Sequence, residues 1–243
     1  MDVSPSDNYV KYIETASPEL VTKIKKAEHL QLMFDEDELE NEIRNWKAFV
    51  RFMEENQKIL QQIGPKINII PGFWYTVLHN AGLFDYYATN PTDVKILQFL
   101  YSISCHSFSY QIVPYPGSTN KKTLRVSFVL SFTFKPNPYL LYNTLTKKVT
   151  YLERHLNRPP TIVNSGVFFN EGQDPHKING VIVGSFFDYF VPYNIKDFYE
   201  DETEEETINN MLEKDFTVTE TLIRTILNNC VECYQNKREI IFD

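Results

Sequence analysis

From Ser17 to Pro65 the chain reads SPELVTKIKKAEHLQLMFDEDELENEIRNWKAFVRFMEENQKILQQIGP, and this stretch decides the fold. Ser17 offers a side-chain oxygen to a helix N-terminus, Pro18 has the fixed φ suited to the first helical position, and Glu19 sets an acid against the positive end of the helix dipole. Gly64-Pro65 supplies the stop, and no Gly or Pro lies between Pro18 and Gly64. The run predicts one helix over residues 18–64, roughly 69 Å long at about 1.5 Å per residue. Globular helices average only about 11–12 residues, so this one needs an extended partner for its apolar side. Leu20, Ile24, Ala27, Gln31 and Phe34 step by four and three, and Leu39, Ile43, Trp46, Val50, Met53, Gln57 and Leu60 repeat the stepping. Such heptads predict pairing with a second chain, with Leu39, Ile43, Trp46, Val50, Met53 and Leu60 at the dimer interface. Packing of the helix on its own domain is the competing reading. The five-residue step from Phe34 to Leu39 predicts a bend or a change of partner around Asp35–Glu38.

Beyond Gly64 the texture changes. Ile70-Pro71-Gly72-Phe73-Trp74 opens a short helix through Leu78, and Asn90-Pro91-Thr92-Asp93 starts another carrying Val94, Leu97, Leu100 and Ile103. Leu124, Val126, Phe128, Leu130, Phe132 and Phe134 then alternate strictly, as a half-buried strand requires. Phe108, Tyr110 and Ile112 alternate before them across the turn-forming Pro116–Asn120, and a third run holds Leu141, Leu145, Val149 and Tyr151. Residues 153–184 read as an accessory hairpin or loop excursion. Ser185 caps the aromatic helix Phe186–Phe190, and a last helix sets Leu222, Ile223, Ile226, Leu227, Cys230, Val231 and Tyr234 on one face. Strands flanked by separate helices make the class α+β. The expected organisation is a flexible lead-in at 1–17, the long helix at 18–64, and an α+β domain at 65–243 with an acidic segment at 197–215.

Composition narrows the function. With 14% aromatic residues in 243, the chain can build a core, so its acidity sits on a folded body. Thirty-two Asp and Glu against 24 Lys and Arg leave a net charge of −8, which repels phosphates and attracts basic partners; direct sequence-specific DNA binding is disfavoured. The three cysteines cannot all pair, the first thirty residues lack a cationic start followed by an apolar stretch, and no run approaches the roughly 18 apolar residues of a membrane span. A soluble protein of the cytoplasm or nucleus is expected.

Enzymatic signatures are missing from the sequence: no phosphate-binding Gly-rich loop, no nucleophile elbow and no His-Glu-x-x-His. Cys230-Val231-Glu232-Cys233 has metal or redox spacing but no second ligand pair, and it lies in an apolar helical stripe, so it reads as buried structural thiol. Cys105-His106 lacks an orienting acid, and the five histidines are scattered. No enzyme, cofactor or metal is expected. Two carboxylate clusters remain: Asp35, Glu36, Asp37, Glu38, Glu40 and Glu42 in the long helix, and Glu200, Asp201, Glu202, Glu204, Glu205 and Glu206 after the aromatic helix. Each reads either as a solvated charge run or as a surface whose self-repulsion a polycation relieves.

Ile70–Trp74, Asn137-Pro138-Tyr139, Leu145-Thr146-Lys147 and Ser185–Phe190, in that order after a long amphipathic helix, resemble the nucleosome assembly protein (NAP/SET) family over roughly residues 18–200. The resemblance implies a homodimer built on paired long helices, with each subunit's sheet and helices forming an earmuff-like domain. It also implies a histone chaperone that binds core histones on an acidic surface and promotes nucleosome assembly, in nucleus and cytoplasm. The acidic run from Glu200 to Glu206 matches an acidic segment common in the family and is the expected histone contact. The competing expectation is a scaffold of the same fold that regulates another enzyme without depositing histones.

Overall fold

In a computed structural model of the protein, which describes residues 17–118, 120–153, 160–178, 180–191 and 202–240, the first element is helix α1 (Pro18–Ile67), 50 residues long. Ser17 caps it as its position dictates, its hydroxyl accepting from the Leu20 N–H at 3.3 Å. The helix runs three residues beyond Gly64. Pro65 withdraws only its own N–H donor, and the Asn68 N–H closes on the Gly64 carbonyl at 2.9 Å, so the last turn completes itself. No break occurs at Asp35–Glu38; what changes there is the surroundings of the helix, as described below.

Pro71-Gly72 reverses the chain into α2 (Phe73–Asn80). Gly72 holds φ at +63°, a left-handed conformation that glycine adopts freely, and a Cβ there would collide with the Gln98 side chain. The neighbouring Trp74 donates its indole N–H to the Tyr101 carbonyl at 3.0 Å, so this motif ties the end of α1 to the sheet. A 3-10 turn (Leu83–Asp85) leads to α3 (Pro91–Leu97). Leu100 and Ile103, expected on that helix, belong instead to the first strand. Their spacing suits a helix, but Ile103 and Cys105 are also in phase with burial on a strand, and the ladder with β2 decides between the two.

Strands β1 (Leu100–Pro114), β2 (Lys122–Phe134), β3 (Thr144–Leu152) and β4 (Thr161–Asn164) form one antiparallel sheet in that order. The alternating residues of β2 are all buried, with Phe132 opposite Ile103 on one side and Leu145 on the other. The opposite face carries Ser127, Ser131, Thr146 and Thr150. Residues Thr161–Asn164 of the expected excursion thus complete the main sheet, and β5 (Lys177–Ile178) with β6 (Val181–Ile182) forms a small separate hairpin.

Against the apolar face pack the second half of α1, the 3-10 turn Phe186–Phe190, and a C-terminal helical run: α4 (Glu202–Thr221), a π-helical turn (Leu222–Ile226) and α5 (Cys230–Tyr234). Phe132 meets Phe190 edge-on at 5.0 Å between ring centres, and Phe73 stacks on Tyr234 at 4.9 Å. The architecture is α+β, a long N-terminal helix followed by an antiparallel sheet packed by helices.

Candidate functional site

The six acids in the middle of α1 divide by what they touch. Lys121, on the loop between β1 and β2, reaches Asp35 at 3.5 Å and Glu38 at 3.2 Å. Hydrogen bonding to Glu38, joined by the charge of Asp35, holds its ammonium above the ordinary lysine value. Glu42 is buried and accepts from the Leu124 N–H at 3.0 Å and the Thr123 hydroxyl at 3.3 Å. These three carboxylates therefore fasten the β1–β2 hairpin to α1. Glu36, Asp37 and Glu40 are exposed. Leu32, Asp35, Glu36, Leu39 and Glu40 line a groove of about 320 Å³ beside Asn120 and Lys122. It combines an apolar wall with the exposed carboxylates of Glu36 and Glu40, which suits a cationic side chain on an aliphatic stem.

The second acidic run meets the structure only in part. Glu202, Glu204, Glu205 and Glu206 fall in the opening turns of α4. Glu200 and Asp201 lie outside the described residues, as does residue 197 at the start of the expected acidic segment. What aims this helix is a polar lock whose lysine belongs to the Leu145-Thr146-Lys147 motif and whose partner is far along the chain. Lys147 of β3 and Asp215 of α4 are both fully buried and form an ion pair, Nζ lying 2.7 Å from Oδ1 and 2.5 Å from Oδ2. The ammonium also sits 3.9 Å from the centre of the Tyr189 ring, and the Tyr189 and Thr219 hydroxyls are 2.7 Å apart. Burial drives the Lys147 pKa down to about 8 against the pull of Asp215. A signal existed: Lys147 is in phase with Leu145 and Val149 on the inward face of β3, where an unpaired lysine would be untenable.

A second lock joins the aromatic turn to α3. Asp93 caps its own helix by accepting the Asn90 N–H at 2.9 Å. It also takes the Ser185 hydroxyl at 2.6 Å and the Phe186 N–H at 3.1 Å. Burial raises the Asp93 pKa, opposed by these donors. Two sequence-local capping boxes, Asn90/Asp93 and Ser185/Asp188, are thereby fused into one tertiary contact.

Of the six residues expected at the dimer interface, Trp46 and Met53 are each only 3% exposed, covered within their own chain, and Leu39, Ile43, Val50 and Leu60 pack partly buried against the same core. Trp46 lies 5.5 Å from the Phe49 ring and 6.3 Å from Phe108 of β1. The stripe is real, but from Leu39 onward it packs into the core of the same chain. The apolar residues that α1 leaves open are others: Leu30 and Phe34, each 57% exposed, and Phe52 and Ile59 farther along. No residue of α1 before Asp35 is buried among those described, so the phase slip marks where the helix meets its own domain.

Cys105, Cys230 and Cys233 are free and buried, and burial pushes the Cys105 thiol up to about 12 and Cys230 to about 11, so both stay protonated and unreactive at neutral pH. Among the described residues no helix is long and apolar enough to cross a membrane.

Comparison with known proteins agrees with this architecture. Nucleosome assembly protein 1 of Plasmodium knowlesi superposes with a TM-score of 0.67 at 18% identity, covering 91% of this chain and 98% of that one. The nucleosome assembly protein of Plasmodium falciparum superposes at 0.64, with 18% identity and coverage of 91% and 100%. At such identities these likenesses bear on the fold alone. In sequence, NAP1-related protein 2 of Arabidopsis thaliana is 26% identical over 210 residues, 80% of this chain and 73% of that protein. The family model for nucleosome assembly protein (NAP) matches residues 10–180, well over half of the chain. With that match and a long helix leading into a four-stranded antiparallel sheet, the chain belongs to the nucleosome assembly protein family.

Proposed function

We propose that the protein is a histone chaperone: a homodimer that binds core histones through an acidic surface and promotes their assembly into nucleosomes, without chemistry of its own. The family match carries the reading. Two features support the acidic surface: the groove beside Glu36 and Glu40, and the carboxylate-rich start of α4 from Glu202 to Glu206. Clustered carboxylates repel one another, and a polycation relieves that strain while its counterions are released, which gives fast, salt-sensitive association. The Glu200–Glu206 run remains the proposed principal contact, with the α1 groove as a second. Dimerisation is assigned to the apolar residues that α1 leaves exposed, among them Leu30, Phe34, Phe52 and Ile59. A nuclear and cytoplasmic distribution follows from the partners.

The test mixes the recombinant full chain with purified core histones at about 150 mM salt, where screening extends roughly 8 Å. A complex that weakens steeply toward about 0.5 M salt, and weakens again when Glu202, Glu204, Glu205 and Glu206 are changed together to Gln, is the expected outcome. Absence of a complex with any core histone overturns the proposal. A complex that leaves plasmid supercoiling at background would instead make the protein a scaffold that does not deposit histones.

A further inference from the structure

The β5–β6 hairpin is fastened to the aromatic turn through one imidazole. His176, immediately before β5, lies with Nδ1 2.8 Å from Asp174 Oδ1 and Nε2 2.9 Å from Asp188 Oδ1. Both partners are carboxylates, which only accept hydrogen bonds when ionised. A neutral imidazole has one N–H, so in either tautomer one ring nitrogen would face a carboxylate lone pair with its own. Only the imidazolium, with two N–H donors, satisfies both contacts.

We propose that protonation of His176 is a latch that docks the β5–β6 hairpin onto the Phe186–Phe190 turn and that its deprotonation frees the hairpin to move. The other charged groups around the ring are consistent with this. Lys177 approaches Asp174 at 3.6 Å, the His176 charge is felt by Asp93 behind Ser185, and Phe169 supplies a neutral edge with its ring centre 6.1 Å from that of the imidazole. Burial works against the charged ring, but the hydrogen bonds to Asp174 and Asp188 outweigh it and hold the imidazole above its ordinary 6.5. The sign follows: contacts made by a group whose folded-state pKa is raised are complete below 6.5 and are lost as pH rises through the folded value.

The rest of the hairpin root does not depend on the proton. Asn90 donates through Nδ2 to the carbonyls of Pro175 and Gly184, each at 3.1 Å. Deprotonation therefore loosens the hairpin locally without detaching it. The hairpin presents Val181 and Ile182, 61% and 84% exposed, so the latch governs how an apolar tip is held out from the acidic body. Because a histidine carries the latch, that presentation responds to pH rather than to a bound ligand.

The test follows the full-length protein by NMR from about pH 5.5 to 9, reading the His176 ring protons and the hydrogen-exchange protection of the Val183 amide, which bonds to the His176 carbonyl at 3.0 Å. Protection, corrected for intrinsic exchange, should fall about five-fold or more as His176 titrates with a midpoint above 6.5, while β2 amides stay unchanged. In His176→Gln the fall should vanish. In Asp188→Asn the carboxamide donates to the neutral ring and still accepts the Ser185 N–H through its oxygen, so protection should persist to high pH. A midpoint at or below 6.5, flat Val183 protection in the parent, an unchanged fall in His176→Gln, or parallel loss across β2 would each overturn the latch.

Discussion

Replacing Lys147 with Met probes the buried lock most directly, because Met keeps most of the side-chain length and volume while deleting the charge. The ammonium and the Asp215 carboxylate are both fully inaccessible, bonded at 2.7 and 2.5 Å, and the ammonium lies 3.9 Å from the Tyr189 ring centre. Lys147→Met leaves Asp215 buried, with the Thr219 hydroxyl still near it at 3.3 Å but no counter-charge in the ion pair. Breaking one side of such a pair costs about 3–5 kcal/mol, since the desolvation of the remaining ion is no longer offset. At about 2–4 °C per kcal/mol for a chain of this size, the melting temperature should drop by about 10 °C. Urea unfolding at pH 7 and one fixed protein concentration reads the change; the concentration matters because oligomers gain stability by mass action. Adding Asp215→Leu to Lys147→Met should recover most of the loss, as an apolar pair of similar volume needs no desolvation. A single variant within about 1 kcal/mol of the parent, or a double variant weaker than the single one, would refute the assignment.

Other consequences are as specific. Glu42→Ala strands the buried Leu124 N–H and releases the β1–β2 hairpin from α1, so it should cost about 1–3 kcal/mol in the same unfolding assay, whereas Glu40→Ala, at an exposed position, should be close to neutral. Gly72→Ala meets both a positive φ and the Gln98 side chain, and a loss of about 1–2 kcal/mol is expected; a neutral result would mean that the Pro71-Gly72 turn tolerates a Cβ. For the proposed dimer, Ile59→Asp should lower the mass seen by light scattering toward 28.6 kDa while leaving the circular dichroism spectrum intact. Trp46→Asp should instead destabilise the fold itself, since Trp46 lies in the core of its own chain.

Much of the architecture was legible from local signals. Ser17-Pro18 and Gly64 bound α1 to within three residues, because capping and stop chemistry depend on the few residues around each end. The strict alternation from Leu124 to Phe134 identified β2, since a strand with one buried face needs no other information to declare itself. Ser185 and Asn90 announced their turns for the same reason. The candidate site was less legible. A cluster of six acids in α1 looks uniform in sequence, yet Asp35, Glu38 and Glu42 are consumed by the hairpin while Glu36, Asp37 and Glu40 face solvent, and only the approach of Lys121 and Leu124 separates them.

By itself the sequence determined that α1 exists, that it is amphipathic and that its stripe changes phase near Asp35. Tertiary structure alone decided what covers that stripe, burying Trp46 and Met53 in the core of their own chain and leaving Phe52 and Ile59 open. It also decided that Lys147 would be paired inside the protein and that Leu100 would begin a strand rather than extend a helix. The physical reason is common to all three. Periodicity, capping and turn propensity belong to one segment and its nearest neighbours, whereas the partner of an apolar face or a buried charge belongs to a contact between segments far apart in the chain.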